Sequence, residues 1–241
     1  MTSILVTGGT GTLGRPTVTK LQTTGHQLRI LSRNPGPDHL VADLSTGAGV
    51  VAAVEGVEVI VHLATSQGAK DIQQTKNLLA AAPRVRHLIL MSIAGIDQVP
   101  LGYYRAKLES ERLVAESGVP YTILRATQFH DLLDKVLTVQ RFLPIVLAPA
   151  VQLQPIAVED VAVRLAELVD APPANGRVAD IGGPERRAVP DFARLWKQAR
   201  EVRRPVVPLR LPGRIFRAYA AGNATVEGPA YGRITFEEYL R

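Results

Sequence analysis

The chain has no cysteine in its 241 residues. That excludes a disulfide framework, a cysteine-ligated zinc or iron–sulfur cluster and a thiol nucleophile, and it fits a reducing, cytoplasmic setting. Aromatic residues are sparse at 5%, with a single Trp. A net charge of +6 raises nucleic-acid binding as a question. No basic, aromatic-rich patch or recognised nucleic-acid motif answers it, so no nucleic-acid partner is expected. A long apolar run is also missing. Residues 143–158 are uncharged, but Pro144, Pro149 and Pro155 break them and Gln152 and Gln154 interrupt them, so no membrane helix is expected. Met1-Thr2-Ser3 offers no basic n-region of a signal peptide. The five histidines, His26, His39, His62, His87 and His130, form no metal-spaced cluster, so no metal site is expected. Gly-x-Ser-x-Gly and Walker-type loops are absent, which removes the hydrolase and NTPase readings.

What is present reads as a soluble domain of ordinary composition, 46% apolar and 21% charged. Apolar, β-branched runs alternate with helical patterns. The predicted strands are 3–7, 28–32, 57–64, 85–92, 121–126 and 177–181, and the predicted helices 13–24, 50–54, 69–82, 103–117, 131–143 and 158–169. Such alternation implies βαβ units and a parallel sheet. Near-continuous apolar strands imply helices on both faces. The expected class is therefore α/β, a doubly wound parallel sheet with a small C-terminal substrate-binding appendage. Residues 1–183 would form the main domain. Residues 184–241, punctuated by proline, would form the appendage, with 127–157 contributing to a small-molecule pocket at the sheet's carboxyl edge. The basic excess is local: residues 186–217 hold ten Arg or Lys against two acidic residues.

The first strand runs into Thr7-Gly8-Gly9-Thr10-Gly11-Thr12-Leu13-Gly14, and a helix follows. The spacing Gly8, Gly11, Gly14 suits a tight turn, a close approach of backbone to a pyrophosphate, and a helix packed on a strand. The helix N-terminus would offer free N–H groups to phosphates. This is a Rossmann-type dinucleotide loop, with Thr10, Thr12 and Leu13 as further contacts. The second strand ends Leu31-Ser32-Arg33-Asn34. An NAD site wants an acid about 20 residues past the loop, and none stands there. Arg33, with Ser32 beside it and Arg15 in the loop, would instead hold a 2′-phosphate. NADP(H) is favoured over NAD(H). Asp43-Leu44 would lie over the adenine, where an acceptor is wanted.

The loop Thr7–Gly14, Asp43-Leu44, His62-Leu63-Ala64, Ser92, and Tyr103-Tyr104-Arg105-Ala106-Lys107 follow in an order that resembles short-chain dehydrogenase/reductases. Tyr121–Phe129 (YTILRATQF) and Pro155–Val161 (PIAVEDV) resemble the atypical, NmrA-like branch. The resemblance covers most of the chain and is least specific after residue 183. It implies a catalytic Tyr103 and Lys107, with Lys107 also on the nicotinamide ribose. It further implies a carbonyl-binding Ser92, cofactor contacts at Ala64 and Thr65, and pocket residues Gln128 and Phe129, with His130 beside them. The Tyr/Lys spacing also has its own reason: residues i and i+4 share a helix face, a cation beside a phenol lowers its pKa, and such a Tyr can protonate a carbonyl as hydride arrives. An NADPH-dependent carbonyl or quinone oxidoreductase is the expected activity. The alternative is a non-catalytic NADP(H) sensor, since members of this branch often lose the tyrosine. Oligomeric state is left open.

Overall fold

The computed structural model describes residues 1–241. The chain divides into two compact units. The first holds residues 1–92, 102–125 and 161–179, and the second 93–101, 126–160 and 180–241. The C-terminal stretch of the second unit begins at residue 180, against the expected 184, and residues 93–101 and 126–160 belong with it.

The first unit is built on strands β1 (Ser3–Thr7), β2 (Gln27–Ser32), β3 (His39–Val41), β4 (Val59–His62), β5 (His87–Ile93), β6 (Tyr121–Ala126) and β9 (Gly176–Arg177). They form one sheet in the order β3-β2-β1-β4-β5-β6-β9. β1 pairs in parallel with β2 on one side and with β4 on the other. The direction of winding therefore reverses between β1 and β4, the crevice where doubly wound sheets bind ligands. All five residues of β1 are buried, as a strand covered on both faces must be. Helices α1 (Gly14–Gln22), α2 (Val50–Val54), α3 (Lys70–Ala81) and α4 (Gly102–Glu116) supply the crossovers. One core cluster joins Leu5, Ile60 and Leu88 of the strands to Val50, Leu78 and Val114 of these helices.

The second unit carries α5 (His130–Thr138), a 3-10 turn (Val139–Phe142), β7 (Val146–Pro149), β8 (Gln152–Leu153), β10 (Arg187–Ala188), α7 (Val189–Ala199), β11 (Val206–Leu209), α8 (Arg214–Ala220) and α9 (Phe236–Leu240). Helix α6 (Val158–Asp170) begins in it and continues into the first unit. β7 pairs with β11 in parallel and β8 with β10 antiparallel. Its core packs Leu133 and Leu137 against Phe192, Trp196 and Phe236. The expected helix 131–143 tightens after Thr138, and 146–153, for which no element was predicted, forms two short strands. Proline is tolerated in such short pairs because no central ladder needs its missing N–H.

Half of the ten basic residues of segment 186–217 are bonded within this unit. Arg204 donates to the carbonyls of Gln140 and Leu143. Arg186 donates to Gln154 and to the carbonyls of Val226 and Gly228. Arg187, Arg194 and Arg200 pair with Glu185, Asp191 and Asp134. No helix is long and apolar enough to cross a membrane, and no group of three or more His, Asp or Glu could hold a metal.

Candidate functional site

β1 ends at the switch point, and the chain turns at once. Gly8 has φ +72°, and a Cβ there would meet the Ala64 nitrogen at 2.7 Å. Only glycine lets the loop pass the end of β4 so closely. At Gly14 a Cβ would lie 2.0 Å from the Gly8 carbonyl oxygen, which is why helix α1 can pack down on its own entry turn. The Gly11 N–H donates to the Gly8 carbonyl at 3.0 Å. Thr10, Gly11 and Thr12 stay exposed while Leu13 and Gly14 are buried. No side chain caps α1; the Arg15 N–H is taken by the Gly11 carbonyl at 3.1 Å and Pro16 carries none, which leaves the Gly14 N–H of the first turn to an anion. This is a cradle that side chains would fill, and it fits a dinucleotide pyrophosphate. Arg33 is exposed, and Ser32 Oγ accepts from the Asn34 N–H at 3.1 Å. Arg15 Nε donates to the Thr10 carbonyl at 3.1 Å, so it braces the loop. Asp43 Oδ1 accepts from the Ser45 N–H at 2.8 Å, and Asn77 Nδ2 donates to the Leu44 carbonyl at 2.7 Å.

Beyond β4, Thr7 Oγ1 and His62 Nδ1 lie 2.7 Å apart. Burial, helped by the Lys107 charge, lowers the His62 pKa to about 3, so the ring stays neutral. Thr65 Oγ1 donates to Asp71 Oδ2 at 2.6 Å and meets the Tyr103 hydroxyl at 3.1 Å. The Ser66 N–H donates to Asp71 Oδ1 at 2.6 Å, and Lys107 Nζ stands 3.7 Å from Asp71 Oδ2. Asp71 is 2% exposed and Lys107 5%, while Tyr103 is half-buried. The structure thus brings Thr65, Tyr103 and Lys107 together, with Asp71 as the joint between them.

Asp71 was missed by sequence reasoning, which had a helix there and gave the acid no task. The expected tuning of the phenol by Lys107 is also corrected. The ammonium is spent on Asp71. Burial pushes the Tyr103 phenol up, Asp71 adding to the rise while the Thr65 hydrogen bond opposes it. Burial likewise lowers Lys107, against the pull of Asp71.

Ser92 has a different partner from the one expected. Its hydroxyl donates to Glu111 Oε1 and is 2% exposed. Arg125 clamps the same carboxylate, Nε to Oε1 at 2.9 Å and Nη2 to Oε2 at 2.7 Å. In this structure the Ser92 hydroxyl is thus engaged with the Glu111–Arg125 pair. Glu111 and Arg125 carried no sequence signal beyond their place in apolar stretches.

In the second unit, Gln128 has both amide atoms out of water without a hydrogen-bond partner. Phe129 is half-buried and bridges to Ile156. His130 is buried. Its Nε2 donates to the Ile234 carbonyl at 3.0 Å, and its ring packs on Phe236 and Tyr239. Burial lowers its pKa. It packs as a core histidine here, with Nδ1 buried and without a hydrogen-bond partner.

Sheet order, glycine cradle and phenol define a dinucleotide-binding α/β protein. The chain belongs to the NAD(P)H-binding family, whose model matches residues 8–172. It is an NAD(P)-binding Rossmann domain of the NmrA-like, atypical short-chain dehydrogenase/reductase type. It is 30% identical over 135 residues to quinone oxidoreductase 2 of Escherichia coli, a match covering 51% of this chain and 47% of that one. The matched stretch thus spans about half the length of that relative. Among solved structures, a nucleoside-diphosphate-sugar epimerase from Staphylococcus aureus matches with a TM-score of 0.84 at 20% identity, covering 99% of both chains. An NADPH-dependent quinone oxidoreductase of E. coli, complexed with NADPH, matches with a TM-score of 0.83 at 19% identity over 98% of both.

Proposed function

We propose that the chain is an NADPH-dependent oxidoreductase that reduces a carbonyl or quinone, with Tyr103 as the proton donor. The observation that carries this reading is the half-buried Tyr103 phenol, held through Thr65 onto the buried Asp71–Lys107 pair. A phenol kept protonated at neutral pH is an acid ready for a developing alkoxide. The glycine loop and the start of α1 hold the pyrophosphate, Arg33 the 2′-phosphate, and Asp43 with Leu44 the adenine end. Ala64 and Thr65 would hold the nicotinamide end, and Gln128 and Phe129 are the residues proposed for the substrate. The unpartnered Gln128 amide favours a polar substrate group there, because a buried amide without a partner is costly. The E. coli neighbour's NADPH supports the cofactor.

Bound in the cradle, the reduced dinucleotide supplies a hydride. Tyr103 gives its hydroxyl proton to the substrate oxygen and later regains one from water. Lys107 acts through Asp71, and Ser92 takes no part. NADPH oxidation against a panel of quinones, ketones and aldehydes tests the reading, which requires turnover of at least one member.

A non-catalytic NADP(H) sensor is the second reading. It is favoured by Ser92 being sealed on Glu111, and tight NADPH binding with no turnover of any panel member would establish it.

A further inference from the structure

We infer that Asp71 is a positioning residue for Tyr103: through the Thr65 hydroxyl it fixes the direction of the phenol's O–H and provides the place to which the Thr65 proton returns between turnovers. This rests on Tyr103 being the proton donor proposed above.

The assignment follows from counting bonds at one oxygen. A threonine hydroxyl has one proton and two lone pairs. Thr65 donates its proton to Asp71 Oδ2 at 2.6 Å. It accepts from the Gln67 N–H at 3.1 Å. One lone pair remains, so in the 3.1 Å contact with Tyr103 the phenol donates. Asp71 cannot supply a proton, because both its oxygens already accept, Oδ1 from the Ser66 N–H and Oδ2 from Thr65, with Lys107 alongside. The carboxylate therefore dictates the polarity of the chain Lys107–Asp71–Thr65–Tyr103. Gln67, held by the Thr65 oxygen, has φ +56°, a conformation uncommon for a residue with a Cβ. The loop stores that strain while keeping the hydroxyl in register.

When the Tyr103 proton passes to a substrate oxygen, the phenolate needs a donor. The Thr65 O–H turns from Asp71 to the phenolate oxygen, and the Lys107 ammonium compensates the carboxylate left behind. No bond to carbon changes and no electron moves in this step. A proton from water restores the phenol, and the Thr65 O–H returns to Asp71. The charged and titratable groups facing this chain are His62 on β4, Asp71 on α3, and Tyr104, Lys107 and Glu111 on α4.

The test is a tyrosinate ultraviolet titration of the cofactor-free protein in six forms, wild type, Asp71→Asn and Thr65→Val, each with and without Tyr103→Phe, so that the Tyr103 contribution is isolated by subtracting the Phe variant within each background. Asp71→Asn removes a negative charge and offers an N–H, so the Tyr103 midpoint should fall by about one pH unit. Thr65→Val removes the hydrogen bond that opposes the rise, so the midpoint should go up. Opposite signs are the signature, because mere loosening of the loop would hydrate the phenol and lower both. Midpoints that agree with wild type, or that both fall, overturn the inference. If Asp71→Asn fails to fold by circular dichroism, the Thr65→Val shift decides alone: upward supports, unchanged or downward refutes. Opposed shifts in a protein that reduces nothing on the panel would leave the coupling standing and sink only the enzymatic reading.

Discussion

Two buried ion pairs sit one helical turn apart on α4. Lys107 reaches Asp71, and Glu111 reaches Arg125. The Glu111 cluster is closed: both carboxylate oxygens are clamped by Arg125, and Ser92 fills the remaining approach. The Asp71 cluster is open at one end, where Thr65 hands on to a phenol that is only half-buried. The difference separates a bolt from a working group. Charges sealed on all sides hold the ends of β5 and β6 to α4. Charges with one side open can respond when a ligand takes a proton.

That contrast can be broken from the closed side first. Glu111→Gln removes the charge of the carboxylate that Arg125 grips in the core, which should cost about 3–5 kcal/mol in denaturant unfolding. A loss below 1 kcal/mol would mean the cluster is not a bolt. On the cofactor side, Arg33→Ala should weaken NADPH binding about tenfold or more while barely changing NADH, since only the 2′-phosphate loses a charge-assisted partner. Equal losses for both would remove the basis for the NADP preference.

Acid should sharpen the picture next. His62 and His87 are buried with pKa values lowered to about 3 and about 4, in each case chiefly by burial. Unfolded histidine titrates near 6.5, so below that pH the unfolded state binds protons the folded state refuses. Stability should hold above pH 6.5 and fall below it, by about 1.4 kcal/mol per pH unit for each of the two rings. A flat stability from pH 7 to 5 would show the rings hydrated. The smallest effect belongs to Ser92. Ser92→Ala should cost about 1 kcal/mol of stability and leave kcat within about threefold, whereas a hundredfold loss would return it to the substrate.

Much of the fold was legible because it rests on local signals. β1 and the glycine loop could be read since Gly8 and Gly14 are demanded by backbone contacts to residues close in sequence or at the next strand's end. The Tyr103/Lys107 face was legible from its four-residue spacing. Asp71 was not, because its significance lies in contacts to Thr65, Ser66 and Lys107 that depend on how α3 meets α4. Ser92 shows the converse. It occupies the position the family resemblance points to, yet its bond is decided by Glu111, 19 residues on. The strands of 146–153 were hidden by their prolines, and the charge of the basic segment gave no sign that Arg186 and Arg204 bond to loop carbonyls.

The most direct measurement is single-turnover oxidation of bound NADPH, with the best panel substrate, by wild type and Tyr103→Phe at matched cofactor occupancy. The account predicts a loss of about a hundredfold or more in the reduction step with NADPH affinity unchanged. Equal rates in the two proteins would contradict Tyr103 as the proton donor.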